Sequence, residues 1–322
     1  MFKNMEYVYE VYKEKSFSKA AQNLYISQPA LSLTIKKMEE SIGYPIFDRS
    51  TNPIRLTDCG NEYIKCIKEI MDLENGFQNY VADLRNLKTG RIIIGSNHIY
   101  ASYILPLVMA EFKKNYPQIE VKLLEANTAL LEGQLLAGTL DLVIDNYDFD
   151  EKICTKHFAF LEHLILMAHK SFPANELAKE YSLSLSEIRN EKHLKKDTKA
   201  VPLQLFKDEP FVLLKSGNDS RTRANRMCQN SNFTPNIVIE VDQLATAYNI
   251  AGNGMGITII SDTLAKKACL DQNILFYKLE DAVAMREVYF HYKTNKYFTR
   301  AMEEFLSFAN RMVNPDQLPY LI

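Results

Sequence analysis

The sequence carries no excess of either charge. Its 38 Lys and Arg stand against 40 Asp and Glu, for a net charge of -2 at pH 7. A chain that gripped nucleic acid along its whole length would be basic, so any DNA contact has to be made by one small module. Long apolar runs are missing too. None approaches the roughly 18 residues of a membrane span, and no membrane association is expected. Residues 1–14 alternate charged and aromatic side chains and lack the apolar centre of a secretory leader, so a cytoplasmic location is expected. Cysteine is sparse: Cys59, Cys66, Cys154, Cys228 and Cys269 are odd in number, scattered, and form no C-x-x-C pair. That excludes a disulfide framework and suits reduced, packed thiols. G-x-S-x-G, P-loop and H-E-x-x-H patterns are all absent. The run Gly252-Asn253-Gly254-Met255-Gly256 precedes an apolar strand, whereas a dinucleotide fingerprint follows one. His157, His163 and His169 are six apart, which is no metal-ligand spacing on a helix or a strand. Neither catalysis nor a cofactor is expected.

What is present suits two or three globular domains. The 322 residues are 47% hydrophobic, and roughly 100–200 residues make a domain. Met5, Val8, Tyr9 and Tyr12 have helical spacing over 3–14. Ser16-Phe17-Ser18 interrupts it, and Ser18 reads as the N-cap of a short helix over 19–24 with Ala20, Ala21 and Leu24 on one face. Tyr25-Ile26 turns the chain. Ser27 then caps a third helix, with Pro29 in its first turn and Leu31, Ile35 and Met38 on its inner face. Gly43 ends it. Two helices joined by a short turn, the second strongly capped, are a helix-turn-helix pattern. Gln28, Ser32, Thr34 and Lys36 would then face outward, with side chains that reach base edges and phosphates. Ser27 and Pro29, at the helix N-terminus, complete the candidate DNA-binding set. Residues 47–57 read as a small hairpin with Arg49 and Arg55 near its tip, suited to neighbouring phosphates. On these residues alone, a three-helix interaction module with a solvated face fits equally well.

Several runs together are more specific. They are Ser16-Phe17-Ser18-Lys19-Ala20-Ala21 with Leu24, Ile26-Ser27-Gln28-Pro29-Ala30-Leu31-Ser32, Ile35-Lys36-Lys37-Met38-Glu39, Gly43, Phe47-Asp48-Arg49 and Leu56-Thr57-Asp58-Cys59-Gly60. In order and without gaps, they resemble the signature of the LysR-type transcriptional regulators. The resemblance implies a winged helix-turn-helix over residues 1–60 that reads double-stranded DNA. Gln28, Pro29, Ser32 and Lys36 fall where that family touches DNA, and Arg49 and Arg55 fall on its wing. Many members carry arginine directly after the recognition-helix serine. Here that residue is Leu33, so the family's base preference does not transfer at that position.

Between 61 and 87 there is no proline. Tyr63, Ile67, Ile70, Phe77, Val81, Leu84 and Leu87, with Leu73 or Glu74 between Ile70 and Phe77, recur every three or four residues against a charged face. Such a stripe has to be buried, either against a second copy or on the next domain. Gly76 would permit a bend. The resemblance implies a dimerising linker helix at 61–89, and so a homodimer or a homotetramer spanning an operator with two half-sites.

The remainder, 90–322, alternates strands and helices. Strands at 91–95, 119–124 and 140–144 enclose helices at 104–115 and 128–137. A second set has strands at 164–168, 211–214, 237–241 and 256–260 with helices at 220–229 and 243–252. Strands at 274–279 and 288–292 and a helix at 299–312 close the chain. This is an α/β architecture with parallel strands. It resembles the two-lobed, periplasmic-binding-protein-like effector domain of the same family, with lobe one at about 91–165 and 273–322 and lobe two at about 166–272. Ligands in such sheets bind beyond the carboxyl ends of the strands. That rule selects Ser96, Asn97, His98, Asn127, Thr128, Asp145 and Asn146 from the first lobe, and Ser216, Gly217 and Asn218 from the second. The set suits a small carboxylate or an amino acid, although Asp145 would oppose a bare anion. Segment 171–207 is longer than the family's usual connection, with one extra helix expected over 177–189 and a charged loop over 190–199. RNA polymerase is the further partner the resemblance implies. The competing reading is a solute-binding or ligand-sequestering protein with an accessory helical module.

Overall fold

The computed structural model describes residues 2–51, 53–83, 90–267 and 273–313. The chain divides into two compact units, one built chiefly on residues 1–81 and the other on residues 82–136 and 140–322.

The first unit holds α1 (Met5–Glu14), α2 (Phe17–Asn23), α3 (Gln28–Ile42), an antiparallel hairpin of β1 (Phe47–Asp48) and β2 (Arg55–Leu56), and α4 (Asp58–Asp83). This is the expected winged helix-turn-helix. One cap differs. Ser16, not Ser18, caps α2, accepting from the Lys19 amide at 3.3 Å. Starting two residues early brings Phe17 into the helix, where its ring meets Phe47 of the wing edge-on at 5.6 Å. Ser27 caps α3 through the Ala30 amide at 3.3 Å, and Gly43 ends α3 with φ 84°. Thr57 caps α4 through the Gly60 amide at 2.9 Å. Gly60 is required there, because a Cβ would lie 2.0 Å from the Ile46 carbonyl oxygen.

Val8, Val11, Ala20, Ala21, Leu31, Ile35, Ile46 and Phe47 form the core, together with Tyr63, Ile64 and Ile67 of α4. This corrects the reading of α4 as a single dimerising stripe. Its first turns are spent inside the unit, because the hairpin and α1 need a wall to pack on. Farther along, Leu73 and Phe77 are 74% and 68% exposed. Leu84, Leu87 and Cys269 lie outside the described residues.

The second unit begins with β3 (Gly90–Ser96), α5 (His98–Tyr103), α6 (Leu105–Asn115), β4 (Ile119–Glu125), α7 (Thr128–Leu136) and β5 (Leu142–Asp145). It continues through β6 (Cys154–His169), α8 (Ala174–Leu177), β7 (Ser182–Leu183), α9 (Leu185–Arg189), β8 (Pro210–Leu214), α10 (Asp219–Asn230), β9 (Asn236–Val241) and α11 (Leu244–Gly252). It ends with β10 (Thr258–Ser261), α12 (Asp262–Lys267), β11 (Ile274–Lys278), β12 (Met285–Lys293) and α13 (Arg300–Val313). Parallel β3, β4 and β5 form the first lobe's sheet, with β12 antiparallel beside β5. Parallel β8 and β9 lie in the second lobe.

β6 is much longer than the five residues expected. Up to His163 it pairs with β12, and from Leu164 it pairs with β10 and β11. One strand therefore serves both lobes, and its change of partner marks the first crossing. The second crossing also moves. β11 was expected to open the return to lobe one, but it pairs with β6 and β7 in the second lobe, so the return comes after it. The extra helix expected over 177–189 is broken into α8, a 3-10 turn at Lys179–Tyr181, β7 and α9. Ser184 stops any continuous helix there by capping α9 in a reciprocal box with Glu187. Ala178, Val201, Leu203 and Phe206 of this long segment are buried in the second lobe's core, so the segment is structural rather than a surface appendage.

Candidate functional site

Two surfaces carry the candidate residues. The first is the outer face of α3. Gln28, Pro29 and Lys36 are exposed there, while Ser32 and Thr34 are half-buried. The Thr34 hydroxyl donates to the Ala30 carbonyl at 2.9 Å, so its proton is already committed to its own helix. Leu33 is 55% exposed, an apolar side chain facing outward beside Ser32. On the wing, Arg55 is exposed opposite Asp48. Arg49 is anchored. Its guanidinium donates to Ser32 Oγ at 3.3 Å and Glu39 Oε2 at 3.0 Å, and stacks 5.1 Å from the Phe17 ring centre. Glu39 Oε1 also accepts the amides of Ile46 and Phe47, at 2.8 and 3.2 Å. Glu39 thus ties the wing to α3, a role that its place in an amphipathic helix did not reveal.

The second surface is a cleft of about 680 Å³ in the second unit, where the loops after β3, β4 and β5 face the N-terminal ends of α10 and α11. All the residues expected to bind a ligand line it except Ser96. Ser96 is fully buried and donates to the Asn97 carbonyl at 3.0 Å. That buries its hydroxyl under the cleft rather than in it, which corrects its assignment as a contact. Three asparagines act as caps. Asn97 accepts from the Ile99 and Tyr100 amides, Asn127 from the Leu130 amide, and Asn218 from the Ser220 amide. Each sets a helix start against the cleft and leaves its amide nitrogen for other partners. No side chain caps α11. Ser216 and Gly217 form the exposed rim beside Lys215, which pairs with Asp242 at 2.8 Å.

Charge concentrates on the wall around Asp145. Thr128 donates to Asp145 Oδ2 at 3.1 Å, and the amides of Asn146 and Tyr147 donate to Oδ1 at 2.7 and 3.1 Å. Burial outweighs those hydrogen bonds and holds the Asp145 carboxyl above its ordinary range. His98 Nδ1 meets Glu125 at 2.9 Å. Asn146 donates to Asp219 Oδ2 at 2.8 Å, joining the loop after β5 to the start of α10.

A buried network that the sequence did not disclose backs this wall. Arg286 of β12 donates through Nε to Glu162 Oε2 at 2.8 Å, and through Nη1 to Asp219 Oδ2 at 2.9 Å and Ser220 Oγ at 3.0 Å. Tyr100 of α5 donates to the same Glu162 oxygen at 3.0 Å. Burial and the Glu162 charge push the Tyr100 hydroxyl well above its usual range, so it stays a donor. The network links α5, β6, β12 and α10, hence both lobes. No local pattern announces it, because Arg286 and Glu162 are 124 residues apart. Among the described residues, no group of three or more His, Cys, Asp or Glu side chains is placed to hold a metal ion. None of their helices is long and apolar enough to cross a membrane.

Known proteins match both parts of the chain. Residues 2–61 match the family model described as "Bacterial regulatory helix-turn-helix protein, lysR family", and residues 85–313 match "LysR substrate binding domain". The uncharacterised HTH-type transcriptional regulator YcgK of Bacillus subtilis is 26% identical over 310 residues, 95% of this chain and 93% of that one. A probable RuBisCO transcriptional regulator of Porphyra purpurea is 27% identical over 297 residues, 91% and 88% of the two chains. Among solved structures, full-length OxyR from Pseudomonas aeruginosa, in a form with one cysteine replaced by aspartate, superposes with a TM-score of 0.69 at 21% identity, covering 98% of this chain and 97% of that one. CbnR, a LysR family transcriptional regulator also solved with its target DNA, gives 0.62 at 16% identity and covers 97% and 99%.

Proposed function

The chain belongs to the LysR family of bacterial helix-turn-helix transcriptional regulators, and from that premise we propose that it is a cytoplasmic regulator of transcription whose effector is a small amino acid held in the cleft. With both parts matching one family, the reading as a solute-binding protein with an accessory module falls away.

The observation that carries the effector assignment is the pairing of opposite demands in one cleft. The uncapped start of α11 offers backbone donors and a positive dipole end to a carboxylate. Asp145 and Asp219 put carboxylate oxygens on the facing wall for an ammonium group, Asp219 while paired with Arg223 and Arg286. A bare carboxylate meets only half of this and is repelled by the rest, whereas a zwitterion meets both. Asn97, Asn127, Thr128 and Asn146 supply the remaining hydrogen bonds, with Ser216, Gly217 and Asn218 closing from the second lobe. Ligand binding favours one of two lobe arrangements by as much as it binds that arrangement better. The Arg286–Glu162–Tyr100 network runs between the lobes and is the element such a shift would act on.

On DNA, Gln28 and Ser32 face base edges in the major groove with Leu33 against a thymine methyl, while Lys36 and Arg55 reach phosphates of the backbone. Arg49 braces the wing against α3. Leu73 and Phe77 supply the self-association face of α4, giving a homodimer on two half-sites, with a homotetramer as a dimer of dimers, and RNA polymerase as the partner at the promoter. The domain limits that go with this reading are a DNA-binding part of 1–60, a linker within 61–89, and an effector part from 90 onward.

Thermal shift of the full-length protein against amino acids, their decarboxylated amines and their deaminated acids tests the effector assignment. At least one amino acid should raise the melting temperature, and its amine and acid counterparts should not. A larger shift from the simple acids would overturn it.

A further inference from the structure

The charge that lines the cleft is lopsided. Glu125, Asp145, Asp219 and Asp242 are acidic, against Lys215 and Arg286. Both cations are already engaged. Lys215 pairs with Asp242 at 2.8 Å, and Arg286 pairs with Asp219 at 2.9 Å and with Glu162 at 2.7 Å. Asp219 has Arg223 as a second cation, at 2.9 Å. Glu125 and Asp145 are left with no Lys or Arg partner among the described residues.

These two carboxylates differ in what they can still take. Asp145 is 2% exposed and already accepts from Thr128 and from the Asn146 and Tyr147 amides. Glu125 ends β4, and its side chain is 49% exposed. It meets one protein group, His98 Nδ1, at 2.9 Å from Oε1, and its Oε2 meets none among the described residues. An imidazole is charged only when protonated, so it does not match a carboxylate as a permanent cation does. The sheet register sets the spacing. Glu125 pairs with Ser96 of β3, and Ser96 pairs with Ile144 of β5, the residue before Asp145. Glu125 and Asp145 thus stand at the same end of the sheet, two strands apart, roughly 10 Å at the usual strand separation.

We propose that the effector is an amino acid with a cationic side chain, lysine or ornithine in kind, whose second ammonium group is held by Glu125. The inference rests on the amino-acid reading of the cleft, with the α-ammonium on the Asp145 wall and the carboxylate at the start of α11. A compact ammonium on a flexible aliphatic stem suits a carboxylate set across the sheet from the α-amino site. The cleft, at about 680 Å³, has room for that stem. A neutral side chain leaves Glu125 with His98 alone, and an acidic one is repelled by it.

Isothermal titration calorimetry on the full-length protein tests this. Its ligands are lysine, ornithine, glutamate and norleucine, which keeps lysine's carbon chain without the terminal ammonium. Lysine, ornithine or both should bind saturably and about tenfold or more tighter than norleucine, the size of one charge-assisted hydrogen bond. Glutamate should bind more weakly than either. Glu125→Gln, a substitution at an exposed strand end, should keep the melting temperature of the ligand-free protein and bring the basic amino acids and norleucine to similar affinities. Norleucine or glutamate binding as tightly as the basic amino acids, or an undiminished preference in folded Glu125→Gln, would overturn this inference and leave the amino-acid reading standing. Cadaverine, which is lysine without its carboxylate, separates the two: binding as tight as lysine's overturns the amino-acid reading and this inference with it. No saturable heat from lysine or ornithine overturns the inference as well.

Discussion

Replacing Arg286 by methionine strands Glu162. The carboxylate is completely buried, and one of its oxygens already has no partner. The other accepts from Arg286 and Tyr100. Removing one member of a buried ion pair costs about 3–5 kcal/mol, because the remaining charge is left desolvated. Tyr100 still donates to Glu162 in the variant, which places the loss near the lower end, about 3 kcal/mol. For a unit of this size that is about 6–12 °C in melting temperature, at roughly 2–4 °C per kcal/mol. Glu162→Gln combined with Arg286→Met removes the stranded charge and should recover most of the loss. The chain has 18 tyrosines and no tryptophan, so thermal melts followed by near-UV circular dichroism of tyrosine suit the measurement. A single variant as stable as the parent, or a double variant no better than the single, would refute the reasoning.

Other consequences are equally open to measurement. Lys36→Ala should weaken binding about equally to different DNA sequences and lower the slope of log affinity against log salt by about one, as loss of one phosphate contact requires. Phe77→Glu places a charge on the exposed face of α4 and should shift the protein toward monomer in sedimentation velocity, with the fold of the first unit intact. His291 is buried, and burial draws its pKa down from 6.5 to about 4. The unfolded chain takes up the proton near 6.5 and the folded chain only near 4. Its contribution is therefore full above pH 6.5 and is lost as pH falls through that window, by roughly 3 kcal/mol. His291→Gln should flatten that part of the decline in urea midpoints between pH 6.5 and pH 4, and an unchanged slope would contradict it.

The parts legible in the sequence are those written in local chemistry. Ser27 with Pro29 fixed the start of α3, Gly43 its end, and the order of strands and helices gave the effector architecture. Cap competition was harder. Ser16 and Ser18 are both good caps, and the packing of Phe17 on Phe47 decided between them. The apolar stripe of α4 was visible, but not its division between an internal core at Tyr63 and Ile67 and an outward face at Leu73 and Phe77, because periodicity does not name the partner. The strand-end rule led to residues that line the cleft, since helix caps and loops are local. It missed Arg286, Glu162 and Asp219, which meet only through the pairing of β6 with β12 and the return of the chain. Ser96 has the right residue type at the right strand end, yet its side chain is fully buried and donates to the Asn97 carbonyl. The long segment before β8 looked like loop and helix, yet Phe206 and His193 inside it are buried, Phe206 in the second lobe's core and His193 against Asp262.

The most direct test of the account is a footprint of the full-length protein on the DNA upstream of its own coding sequence, taken with and without the amino acid that thermal shift selects. The account predicts two protected half-sites, centred a whole number of helical turns apart, on the same face of the DNA. Protection should be lost in Ser32→Ala combined with Lys36→Ala, and its spacing or extent should change on adding the amino acid. Protection that depends neither on those residues nor on the ligand, or no protection once competitor DNA is added, would contradict it.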